Sequence, residues 1–256
     1  MIKISVIVTT YNRPKLLKET LQSILNQTYV DFELIVVDNN SNYDFFKLIE
    51  SFNDNRIIAY QNENDGVIAV NRNFGIKKSK GQYIAFCDDD DTWTFDKLES
   101  QLKYLKNDKF DLVYSNTKLI FENGSIKFTN FTNINSLSKL LKQNHITLSS
   151  VIVKKSPSLF FNENKNFITV EDYELWIRLI QQGLRFKFVE KPLVNWRVLN
   201  NSMSQKSKSN NEKVNIRFRI FLLTKFNFSI TLKLILVKVI IVRFLKIYAY
   251  KLFPTN

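Results

Sequence analysis

The chain begins with an apolar, β-branched run, Ile4-Ser5-Val6-Ile7-Val8-Thr9. That pattern belongs to a strand covered on both faces. Asn12-Arg13-Pro14 then opens a helix, with Asn12 expected as its cap and Pro14 in its first turn. Leu17, Leu21, Ile24 and Leu25 share one face of that helix. A second apolar run, Phe32–Asp38, completes a strand–helix–strand unit of the kind that builds parallel sheets. The pattern continues with a strand over 56–60, a helix over 69–78 stopped by Gly81, and a strand over 83–87 running directly into Asp88-Asp89-Asp90-Asp91. A helix over 95–106 and a strand over 112–115 follow.

Beyond residue 115 the periodicity loosens. Asn123-Gly124 predicts a hairpin turn between Leu119-Ile120-Phe121 and Ile126-Lys127-Phe128. Residues 149–153 read as a strand, and 170–182 as a helix closed by Gly183. A Ser/Asn/Lys-rich stretch over 200–211 reads as a linker or mobile loop. The expected organisation is an α/β domain over 1–205, with a mostly parallel central sheet flanked by helices, followed by a basic, apolar, helical extension over 206–256.

Composition narrows the class. With 256 residues, 45% of them hydrophobic, the chain can bury a large core. The single cysteine, Cys87, excludes an internal disulfide and fits a buried position in a reducing compartment. The first residues read as a buried strand rather than a signal peptide, so the expected location is cytoplasmic. The net charge is +13, and no acidic residue follows Glu212. A basic, apolar tail suggests an anionic partner. No nucleic-acid module is recognisable, so nucleic acid is not expected. Residues 230–253 carry too many lysines and arginines to span a bilayer. Peripheral contact with an anionic membrane at its inner face is the expectation, against the plainer reading of a docked helix whose lysines reach solvent.

Candidate chemistry lies at the strand ends. Ligands of open parallel sheets bind at the carboxyl ends of the strands. Three polar clusters fall there: Thr9-Thr10-Tyr11-Asn12, Asp38-Asn39-Asn40-Ser41 and Asp88–Asp91. Four adjacent carboxylates after a buried strand need a counter-charge. Mg²⁺ or Mn²⁺ with phosphate oxygens would supply it. Taken alone, such a run is more often a solvated turn. Glu171-Asp172 opens the helix beginning at 170, where acidic residues also serve the helix dipole. His145, the only histidine, has no partner for a zinc-type site. Neither a Walker phosphate loop nor a GxSxG elbow occurs.

In order and spacing these segments resemble family 2 of the inverting GT-A glycosyltransferases. The carrying stretches are Ser5-Val6-Ile7-Val8-Thr9-Thr10-Tyr11-Asn12-Arg13-Pro14, Leu34-Ile35-Val36-Val37-Asp38-Asn39-Asn40-Ser41, Asn71-Arg72-Asn73-Phe74-Gly75-Ile76 and Gly81 through Asp91. Ser149-Ser150-Val151-Ile152, Glu171-Asp172-Tyr173-Glu174-Leu175 and Pro192-Leu193-Val194-Asn195-Trp196-Arg197 complete the set. The resemblance covers about residues 2–204 and implies a GT-A Rossmann-like fold.

It also implies a nucleotide-sugar donor, with a UDP-sugar favoured and dTDP the alternative, and Mn²⁺ or Mg²⁺ as cofactor. The acceptor would be a glycan or a lipid-linked glycan in cell-surface polysaccharide synthesis. Thr10 and Tyr11 would line the base and Asp38 would bond the base or ribose. Arg72, Asn73 and Asp89 would lie beside the nucleotide and sugar. Asp88-Asp89-Asp90 matches the family's DxD motif, with Asp88 and Asp90 as metal ligands, and Asp172 matches the catalytic base. Many members carry a His two residues after the Arg that matches Arg197. That position is Leu199 here, which leaves the third protein ligand open. The competing readings are a haloacid dehalogenase-like phosphatase, whose strand–DxD hallmark the 84–92 segment approaches, and a non-catalytic nucleotide-sugar binder.

Overall fold

The computed structural model describes residues 4–106, 108–199 and 208–252. Its first half is a parallel sheet. Strand β1 (Ile4–Thr10) leads through α1 (Pro14–Leu25) to β2 (Phe32–Asp38), α2 (Phe45–Glu50) and β3 (Ile57–Gln61). Helix α3 (Ile68–Lys78) and β4 (Tyr83–Asp88) follow. β1 pairs in parallel with both β2 and β4, and β2 with β3. Every residue of β1 and β2 is buried. Alternate side chains serve opposite faces: Ile4, Val6 and Val8 pack with Leu17, Leu21, Ile24, Leu98 and Leu102, whereas Ile7 packs with Ile76, Ile84, Phe86 and Trp176. The continuous apolar runs are therefore the mark of a sheet with helices on both sides.

Close backbone approach fixes one glycine. A Cβ on Gly81 would lie 2.6 Å from the Ser5 nitrogen and 2.8 Å from the Ile4 carbonyl carbon. The Gly81 N–H donates to Ser5 Oγ at 2.8 Å. Gly81 thus lets the chain enter β4 against β1. It does not stop α3, which ends at Lys78 with Ser79 at the cap position.

The second half is mixed. Short β5 (Asp91–Trp93), α4 (Lys97–Leu105), β6 (Leu112–Phe121), β7 (Ile126–Phe128), α5 (Leu137–Lys142), β8 (Ile152–Lys154), α6 (Glu171–Gln181) and β9 (Phe186–Val198) follow in order. The sheet runs β3-β2-β1-β4-β8-β6-β9-β5, with β7 on β6. β8 lies antiparallel between β4 and β6, and β6 is parallel to β9. Gly124 turns the β6–β7 hairpin with φ +79°, and Gly183 closes α6 with φ +85°. Residues 148–150 form a 3₁₀ turn before β8 rather than part of the strand.

The chain ends in α7 (Lys208–Lys225) and α8 (Ile230–Leu252). Only the first part of the expected 200–211 linker lies outside the described residues; from 208 onward it is helix. Phe218, Leu222, Phe228 and Leu236 enter the same core as α6. An Arg243–Glu212 ion pair at 2.6 Å ties α8 to α7. The outer side of α8 is apolar: Ile230, Leu234, Val237, Ile241, Phe244, Leu245 and Tyr248 are all exposed. Their spacing of three and four residues makes one ridge along the helix. No helix among the described residues is long and apolar enough to cross a membrane.

Candidate active site

The carboxyl ends of β1, β2 and β4 lie side by side, with Thr10 opposite Asp38 and Thr9 opposite Asp88. The loops leaving β1 and β2 are laced together. Asn12, at φ +54°, accepts from the Asn42 N–H at 2.8 Å, and its own N–H donates to Ser41 Oγ at 2.8 Å. It does not cap α1. Arg13 stands at the cap position with no side-chain capping bond, and Pro14 begins the helix. Asp38 is wholly buried and accepts from Ser41 N–H, Ser41 Oγ and Gln61. Both of its oxygens therefore have partners in the loop after β2 and in β3.

The acidic run divides its work. Asp88 is the last residue of β4 and Asp91 the first of β5, so Asp89 and Asp90 form the turn between them. Asp91 is buried and accepts from Ser149 Oγ at 2.6 Å. Asp89 accepts from Thr10 Oγ1 at 2.7 Å and from Arg13 at 3.0 Å, and Arg13 also reaches Asp90 at 2.8 Å. Thr20 Oγ1 lies 2.8 and 2.7 Å from the carbonyls of Asp89 and Asp91. Arg197 grips the Asp90 carbonyl and Glu19 from β9. Asp88 is the most open of the acids, with its side chain 35% exposed.

Helix α6 delivers Glu171 and Asp172 to the same place, and Arg72 of α3 bridges the two clusters. Its guanidinium donates to Asp88 at 2.9 Å and to Glu171 at 2.7 Å. Burial opposes the Arg72 charge, but these carboxylates outweigh it and raise its pKa. A cavity of about 370 Å³ opens between them, walled by Thr9, Arg13, Arg72, Asp88–Asp91, Phe131, Glu171, Asp172 and Trp196 among others. Tyr11, which is exposed, does not belong to its wall; nor do Asp38, Leu199 and Asn73. Asn73 instead bonds the backbone of Phe161 in both directions and Glu163. His145 stacks on Phe131 and meets Thr132 behind the wall.

Six carboxylates therefore line a cavity with two arginines, Arg13 and Arg72. The surplus shows in proton affinities. Burial, then Asp88 and Asp89, push the Asp90 carboxyl up to about 6. Burial, then Glu171, push Asp172 up to about 7. Glu171 Oε2 is buried with no hydrogen-bond partner. Hard oxygen donors in excess of positive charge suit a divalent cation. Yet no group of three or more His, Cys, Asp or Glu among the described residues is arranged to hold one unaided. Phosphate oxygens would have to complete the coordination.

Sequence reasoning gave no site role to Arg13, which it placed at a helix start and in a stretch carrying the resemblance, or to Thr20. The spacing of apolar residues on α1 carries no sign that its first turn reaches the acidic turn. Thr169, which also lines the cavity, adopts φ +77°. That is an unusual conformation for a β-branched residue.

Residues 5–163 match the family model "Glycosyl transferase family 2". An uncharacterized glycosyltransferase of Methanocaldococcus jannaschii is 34% identical over 207 residues, 77% of this chain and 71% of its own length. The Escherichia coli UDP-Glc:alpha-D-GlcNAc-diphosphoundecaprenol beta-1,3-glucosyltransferase WfaP is 32% identical over 185 residues, 71% of this chain and 72% of its own. Among solved structures, S. aureus TarS 1-349 in complex with UDP-GlcNAc superposes with a TM-score of 0.74 at 19% identity, covering 95% of this chain and 73% of that one. A Pyrobaculum calidifontis mannosyltransferase in complex with GDP-Man and Mn²⁺ gives 0.69 at 15%, covering 99% and 76%.

Proposed function

The chain belongs to glycosyl transferase family 2, and from that premise we propose that it moves a sugar from a UDP-sugar to an acceptor hydroxyl with inversion, using Asp172 as base. The observation that carries this reading is the convergence of Asp88–Asp90 and Glu171-Asp172 on one cavity, joined by Arg72. The phosphatase reading has no support in the sheet: the acidic run follows its fourth strand, whereas that motif opens the fold it belongs to. Occupied donor sites in neighbours of this fold support a nucleotide-sugar donor.

Asp88 and Asp90 would hold a divalent cation, Mn²⁺ or Mg²⁺, which would offset charge developing on the departing diphosphate. Leu199 cannot add a ligand, so the donor's phosphates would have to complete the shell. Arg13 holds Asp89 and Asp90 in place, and Thr20 fixes the carbonyls of the turn. Asp172 sits half-buried, and its raised pKa near 7 suits a group that must accept a proton near neutrality. The attacking hydroxyl loses its proton to Asp172 as its oxygen bonds the anomeric carbon and the nucleoside diphosphate leaves from the opposite face. One such displacement inverts the configuration. Arg72 pairs with Glu171 and Asp88 on either side of the base.

The acceptor is a glycan, lipid-linked in the manner named for the Escherichia coli relative, and the product belongs to cell-surface polysaccharide. The α/β domain over 1–205 carries the chemistry. The extension over 206–256 brings it to the inner face of the membrane, α8 presenting its apolar ridge between Lys233 and Lys238. A thermal-shift screen of UDP-, GDP-, dTDP- and CDP-sugars with Mn²⁺ tests the donor assignment. A UDP-sugar should raise the melting temperature most; no response to any of them would overturn it.

A further inference from the structure

A second cavity, about 470 Å³, lies on the far side of the segment that carries the catalytic carboxylates' cavity wall. It is formed by residues 164–169 on one side and α7 on the other, with Lys165, Thr169, Asn166, Arg217 and Phe221 in its lining. Thr169 faces both cavities. It stands three positions before Asp172 and only one residue before the helix-entry position Val170. The partition between the two spaces is therefore a single strand of chain.

The lining has a definite chemical character. Lys165 and Arg217 are both exposed, and neither has an ion pair among the described residues. The first cavity, by contrast, spends its arginines on carboxylates. No acidic residue lines the second cavity. Its floor is aromatic and rigid: Phe167 packs edge-on against Phe218 at 5.9 Å and Phe221 at 4.8 Å. The φ of +77° at Thr169 is a second, independent observation. A β-branched residue held in the left-handed region is strained, and such strain clusters where geometry is kept for function.

From these features we infer that the second cavity is the binding site for the phosphate or diphosphate of an anionic, lipid-linked acceptor. Lys165 and Arg217 hold the anionic group, the half-buried ring of Phe221 takes the first apolar carbons, and the acceptor sugar crosses the partition at Thr169 to reach Asp172. Paired cations suit phosphate oxygens. The first cavity is already assigned to the donor's own diphosphate and its cation, and both of its arginines are engaged by carboxylates. The inference rests on the transferase reading above and names its acceptor class.

The test separates the two. Wild type and the double variant Lys165→Gln/Arg217→Gln are titrated by calorimetry with farnesyl diphosphate and with inorganic diphosphate. Saturating UDP and Mn²⁺ are present, so that the donor cavity is filled. UDP-sugar affinity and Mn²⁺-dependent donor hydrolysis are measured on both proteins in parallel. The expected result is farnesyl diphosphate binding to the wild type at least about tenfold tighter than to the double variant, the effect of losing a charge-assisted hydrogen bond or more. Inorganic diphosphate should bind more weakly than the prenyl form, and donor affinity and hydrolysis should not change. Equal farnesyl diphosphate binding by both proteins overturns the inference. So does inorganic diphosphate binding as tightly as the prenyl form, which would make the cavity a free-anion site. Loss of donor binding in the wild type itself would instead count against the transferase reading.

Discussion

Removing Arg72 tests the electrostatic design of the site. Arg72→Met keeps length and apolar bulk but deletes the charge shared by Asp88 and Glu171. The Asp88 pair, with its carboxylate 35% exposed, is screened by water and is worth at most about 1 kcal/mol. The Glu171 pair differs: the arginine is 6% exposed and the glutamate 10%, at 2.7 Å. Breaking a buried pair by removing one partner costs about 3–5 kcal/mol, because the remaining charge stays buried. Glu171 Oε2 already lacks a partner, so no spare hydrogen bond softens the loss. For a chain of this size that corresponds to a fall of roughly 6–20 °C in melting temperature. The variant has a kinetic signature as well. Arg72 lowers the proton affinity of Asp172, which burial and Glu171 hold near 7. Without Arg72 that affinity rises further. Transfer needs Asp172 unprotonated, so the acid limb of the pH–rate profile should move upward, by about one pH unit. Thermal melts and a pH–rate profile from 5.5 to 9 at saturating donor measure both effects. A melting temperature within about 1 °C of wild type, with an unmoved acid limb, would refute the reasoning.

Three further outcomes follow from other parts of the molecule. Asp90→Asn removes the hard oxygen beside Arg13 that is proposed to hold the cation, so calorimetry with Mn²⁺ should show donor binding weakened by at least about tenfold and turnover reduced with it. Normal donor affinity would make the acidic run a mere turn. Gly81→Ala forces a Cβ to within 2.6 Å of the Ser5 backbone nitrogen, and urea unfolding should show a loss of about 1–3 kcal/mol; unchanged stability would contradict the close packing of β4 on β1. The full chain should sediment with anionic vesicles at low salt, and Leu234→Glu/Ile241→Glu on the exposed ridge of α8 should abolish this. A wild-type protein left in the supernatant refutes the membrane role.

The sheet's first half was legible because β1, β2 and β4 are buried on both faces and so carry unbroken apolar runs. Their carboxyl ends then located the polar clusters without any contact information. β9 was not read as a strand. Its 13 residues include Pro192, and their burial comes in blocks, with Glu190 and Lys191 both exposed and Leu193 and Val194 both buried, so no period-two alternation shows. β5 was hidden for a different reason: three residues beginning with Asp91 form a strand only because β9 is there to pair with them. The same non-local dependence hid Arg13, whose role appears only when the turn of Asp89 and Asp90 folds back onto α1. Asp38 shows the converse. Its place at the strand end was evident, but the wrap of Ser41 and Gln61 around its oxygens depends on neighbouring chain geometry. Helix α2 has only six residues and too short a pattern to register.

The central claim is that Asp172 takes the proton while the carboxylates of the acidic turn serve the donor. Asp172→Asn preserves shape and removes the proton acceptor, so it isolates that step. Calorimetry should show UDP-sugar and Mn²⁺ binding close to wild type, while the transfer rate falls about 10²–10⁴-fold, the range of general base catalysis. If Asp172→Asn transfers sugar at the wild-type rate, Asp172 is not the base and the assignment of roles within this cavity is wrong.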